Sequence, residues 1–111
     1  MESISIANPN AGARPATFLD GSTRNVAALP SLFVGRGVYR PGWRWSLHVG
    51  PLTGREAAHH IGYVVSGRFM VEGPTGNRYE VGPGEAFEVG PGHDAWVIND
   101  EPCVALDFEV R

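Results

Sequence analysis

The chain has 111 residues, enough for one domain with a single core and no disulfide or metal staple. Its 42% of hydrophobic residues excludes wholesale disorder, and no apolar run approaches the ~20 residues that cross a bilayer. The formal net charge of −3 argues against nucleic acid as the main partner, and the absence of lysine excludes a lysine Schiff base.

Residues 1–15 are polar and turn-rich and read as a loose arm, with one short strand at residues 4–6. The N-terminus carries neither a basic segment nor an apolar one of the kind that marks a secretory signal. A lone Cys103 cannot form an internal disulfide, and a cytoplasmic location follows from it. Residues 18–30 fit neither a helical nor a strand pattern.

From Leu32 onward the pattern is regular. Runs at 32–39, 43–49, 61–65, 69–71, 78–81, 86–89, 95–98 and 104–110 are rich in Val, Ile, Phe, Tyr and Trp, which suit a half-buried pleated surface. The last run alternates, with Leu106, Phe108 and Val110 on one face and Asp107 and Glu109 on the other. Gly73-Pro74-Thr75-Gly76-Asn77, Gly82-Pro83-Gly84 and Gly90-Pro91-Gly92 punctuate the runs as turns. Short strands at this spacing have edges to hide, so an all-β barrel or two-sheet jelly roll is expected.

The histidines His48, His59, His60 and His93 are the candidate metal ligands. They match no local metal-binding spacing, and single histidines are more often surface or hydrogen-bonded core residues. In residues 43–49, read as a strand, Arg44, Ser46 and His48 share one face and Trp43, Trp45, Leu47 and Val49 the other.

Residues 41–99 resemble a cupin, the small double-stranded β-helix barrel. The first cupin motif runs Gly, five residues, His-x-His, then after a short gap Glu, six residues, Gly. Here Gly42 is followed by five residues and His48, but Gly50 stands where the second histidine belongs. His60, six residues before Gly67, takes the place of the glutamate. In the second motif Gly84, Gly90-Pro91-Gly92 and Asn99 keep the framework, while Ala95 holds the histidine position and His93 precedes it by two.

The resemblance implies a single cupin barrel over residues 16–111. It implies a rearranged metal site of His48, His60 and His93 holding a divalent transition metal (Zn, Fe, Ni, Mn or Cu), with positions open for substrate. Glu56, Arg44 and Tyr63 are further candidates beside the metal or the substrate, and an arginine there favours an anionic molecule. The activities this implies are those of a metal-dependent oxygenase, isomerase, lyase or cyclase acting on a small organic molecule. The alternatives are a non-catalytic cupin module that binds or senses a small ligand, and a metal-free barrel that serves as a dimer scaffold. A homodimer is expected through the outward Trp43, Trp45, Leu47 and Val49 face.

Overall fold

The computed structural model describes residues 3–10 and 15–111. Among the described residues nine strands run in chain order, interrupted by two helical turns. They are β1 (Ala16–Thr17), β2 (Thr23–Ala28), β3 (Leu32–Tyr39), α1 (Trp45–His48), α2 (Gly50–Thr53), β4 (His60–Ser66), β5 (Phe69–Glu72), β6 (Arg78–Val81), β7 (Ala86–Val89), β8 (Asp94–Val97) and β9 (Cys103–Val110).

A six-stranded sheet in the order β1-β2-β3-β9-β4-β7 faces a three-stranded sheet in the order β6-β5-β8. Every pairing among the described residues is antiparallel. The expected all-β architecture is therefore the one observed. Among the described residues no helix is long and apolar enough to cross a membrane.

The core fills the space between the sheets. Val64 and Cys103 are fully buried, and Phe69, Val71, Val81, Ala95, Val97 and Ala105 close around them. Gly67, at φ 75°, turns β4 into β5, and a side chain there would run into the backbone of Pro102 and Cys103. A residue with a Cβ pays for that positive φ in steric strain, so glycine is required on both counts.

Four expectations need correction. The segment at residues 43–49 is not a strand. Arg44 makes one isolated bridge to Trp96, and the chain then winds into α1 and α2. The reason is local. The Asp94 carboxylate accepts from Arg44 Nε (2.8 Å) and from the Ser46 backbone N–H (3.0 Å), anchoring the first turn, and Pro51 sets the φ of the second. Helical winding buries Trp43 and Val49, packs Trp45 on the core and leaves Leu47 60% exposed, so the expected outward aromatic face does not exist. The ambiguous stretch at residues 18–30 contributes a full strand, β2. Finally, the strand expected at residues 4–6 does not form, and Ile4 and Ile6 are exposed. The rest of the expected arm, residues 1–2 and 11–14, lies outside the described residues.

Candidate functional site

The two sheets enclose a cavity of about 420 Å³. Strand alternation puts every second residue of the surrounding strands on its wall. Apolar side chains make most of that wall, among them Phe18, Tyr39, Trp43, Phe69 and Phe87. Its polar residues are Arg24, Thr53, Arg55, Glu56, His60, His93, Asp107 and Glu109.

His60 and His93 meet on this wall. The first residue of β4 delivers His60, and the turn before β8 delivers His93. Their rings stand edge to face with centroids 5.5 Å apart. His93 is buried, and its Nδ1 lies 2.7 Å from the Gly90 carbonyl oxygen. A carbonyl only accepts, so Nδ1 carries the proton and the lone pair of a neutral ring lies on Nε2. No described residue hydrogen-bonds the His60 ring. Burial pushes the His60 pKa below the ordinary histidine value; nearby Asp107 opposes this and His93 adds to it.

Of the remaining candidates only Glu56 shares the cavity. His48 does not line the cavity: it sits on α1, where its Nδ1 accepts the Arg44 backbone N–H at 2.9 Å. His59 is half exposed and bonds Glu88 at 2.8 Å. Arg44 is held by Asp94 and stacks 4.3 Å above the Trp96 ring, away from the cavity. Tyr63 is 40% exposed and stands outside the cavity wall. Glu56 does line the cavity, beside Gly92.

The expected metal site therefore keeps two of its three histidines on one wall. Among the described residues no group of three or more His, Cys, Asp or Glu is placed to hold a metal ion. With Gly50 and Ala95 at two of the four motif positions and His48 spent on its own helix, the residues present do not fit a three-ligand centre.

Sequence reading missed Arg24, Tyr39 and Asp107 as cavity residues. Arg24 and Asp107 form a two-pronged ion pair with N–O distances of 2.9 and 2.5 Å. Tyr39 is partly buried beside them, and burial together with the Asp107 charge raises its pKa, so its hydroxyl stays protonated. The signal was present in β9, where Asp107 and Glu109 alternate with Leu106 and Phe108. The two acidic side chains line the cavity.

The architecture has known counterparts. KdgF from Halomonas sp. superposes with a TM-score of 0.67 at 23% identity, over 98% of this chain and 96% of that one. A sugar phosphate isomerase of the cupin superfamily from Silicibacter pomeroyi gives 0.64 at 17% identity, over 84% of this chain and 61% of that one. This is a cupin fold. The oxalate decarboxylase of Lactobacillus farciminis contains the same cupin fold, at a TM-score of 0.64 and 15% identity; 86% of this chain covers 30% of that one. No family model matches the sequence, and no curated protein does. At these identities the likeness is one of fold, and the cupin framework says where a site lies without saying what it does.

Proposed function

We propose that this cupin fold binds one small organic molecule inside its barrel, in contact with His60 and His93. The observation that carries the proposal is the cavity itself. Apolar aromatic walls with a few polar groups gathered on one side are the usual make-up of a small-molecule site. The named neighbours point the same way, since a sugar phosphate isomerase and an oxalate decarboxylase both act on small molecules. If the bound molecule reacts, the nitrogens able to hold or move a proton are His93 Nε2 and the His60 ring. Metal-dependent chemistry would need a third ligand beyond these two.

The test is recovery of ligand. Protein purified without a tag is denatured, and the released small molecules are identified by mass spectrometry. Ala105→Phe, which fills the cavity from β9, should release nothing while keeping a β-type circular dichroism spectrum. Equal release from both proteins would sink the proposal.

The proposal includes a homodimer and a cytoplasmic location. Ile61, Tyr63 and Val65 alternate along β4 at 40, 40 and 49% exposure, and Phe108 is the register partner of Ile61 on the same outer face. An apolar sheet face of this kind favours a second copy over water. The single buried Cys103 suits a reducing compartment.

A further inference from the structure

The charges of the cavity wall restrict what it can hold. Arg24 and Asp107 engage each other through both prongs of guanidinium and carboxylate, so neither charge is left for a ligand. The pair spans β3, to which neither residue belongs. In register Arg24 lies opposite Gly37, and Asp107 opposite Gly35. A Cβ on Gly35 would stand 2.5 Å from Asp107 Oδ1 and 2.6 Å from Arg24 Nη2, so the bare glycine leaves the passage through which the pair closes. The other cation of the wall, Arg55, is exposed and shares its surroundings with the exposed carboxylates of Glu56 and Glu109. The wall thus carries three carboxylates against two guanidiniums, and no unengaged buried cation.

The hydrogen-bonding atoms of the wall left without a partner among the described residues include imidazole nitrogens and the buried Trp43 Nε1–H. His93 commits Nδ1–H to Gly90 and keeps Nε2, and the His60 ring has no partner among the described residues. A hydroxyl is the smallest group that serves both, donating to one ring and accepting from the other.

We infer that the ligand of this cavity is an uncharged, mostly apolar ring compound carrying one hydroxyl, seated with that hydroxyl between His60 and His93. The inference rests on the proposed function and narrows it. A phosphate or carboxylate moved into this space loses its water and finds only the exposed Arg55, next to Glu56, as an unpaired cation, which is costly in an apolar surround. A flat ring finds aromatic walls on several sides. The sugar phosphate and oxalate named for the neighbouring structures are thereby disfavoured here.

Calorimetric titration with 2-naphthol and 2-naphthoate at pH 7.5 tests this. The two probes share a ring system and differ in charge. 2-Naphthol should bind at least about tenfold tighter than 2-naphthoate, about 1.4 kcal/mol by the usual conversion. His60→Phe keeps a ring of similar size but no nitrogen, and should remove most of that advantage. Asp107→Asn releases Arg24 and should raise the affinity for 2-naphthoate. Equal or tighter binding of 2-naphthoate by the unaltered protein would overturn the inference and leave the barrel as a binding site. Binding of neither probe by the folded protein would overturn the inference, and failure to recover any ligand from purified protein would then remove the proposed function as well.

Discussion

Arg24 on β2 and Asp107 on β9 join hands across β3, the strand that separates them, and they do so over the bare backbone of Gly35. One ion pair thereby ties three neighbouring strands together inside the barrel. Gly35→Val should force the pair apart and lower stability by about 1–3 kcal/mol, the usual cost of overpacking. Arg24→Met should cost a similar amount, because it leaves the Asp107 charge partly buried without its partner. Urea midpoints of the two variants check both values; an unchanged midpoint for Gly35→Val would show that the passage is not needed.

Stability should fall in mild acid through His60. Its folded pKa lies below the ordinary value of 6.5, so below pH 6.5 the unfolded chain takes up a proton that the folded chain resists. The His60 contribution is therefore full above pH 6.5 and declines as the pH drops from 6.5 towards the depressed folded value. Thermal midpoints between pH 8 and pH 5 should decline less in His60→Gln than in the unaltered protein. Parallel curves would assign the decline to other groups.

Two glycines separate strain from collision. Gly67 and Gly76 both hold positive φ, at 75° and 91°. A Cβ at Gly76 meets open space, whereas one at Gly67 lies 2.6 Å from Cys103 Cα. Valine at position 76 should cost only the backbone strain, roughly 1–3 kcal/mol. Valine at position 67 should cost clearly more, and soluble yield and melting temperature should rank the two in that order.

Asp94 holds the helical segment to β8. Its carboxylate accepts from Arg44, from both the backbone and the hydroxyl of Ser46, and from the Ala95 N–H. Burial raises its pKa, but these hydrogen bonds outweigh that and hold it below the usual aspartate value. Its contribution is present above the ordinary aspartate pKa and is lost as the pH falls through the depressed one. Asp94→Ala should destabilise by about 1–3 kcal/mol and free Trp45 to move. A red shift of tryptophan emission at neutral pH would register that movement, and an unshifted spectrum would count against it.

The outer face of β4 offers the dimer test. Tyr63→Glu places a charge among Ile61, Val65 and Phe108 and should shift sedimentation towards the monomer. Trp45→Glu should instead damage the fold, because Trp45 packs on the core rather than outward.

The barrel was legible in the sequence because turn chemistry is local. Gly67, Gly84 and Gly92 all hold the positive φ that their motifs anticipate. The site was legible in part. His60 and His93 sit one at the start of a strand and one in a tight turn, places that framework spacing locates well. His48 was lost because seven residues alternating as a strand also fit a helical turn, and the deciding contact, Asp94, lies 46 positions away in sequence. Arg24 was lost for a similar reason. Its partner is 83 residues distant, and the only local trace of the pair is the pattern Gly35-x-Gly37, which names no partner.

Cys103 gives the cavity one more property. Its sulfur is fully buried, lies on the wall, and burial pushes its pKa up to about 11. At neutral pH it is a thiol, and the thiol form is a poor nucleophile. Iodoacetamide added to the folded protein at neutral pH should therefore leave Cys103 unmodified, whereas the unfolded chain should be alkylated.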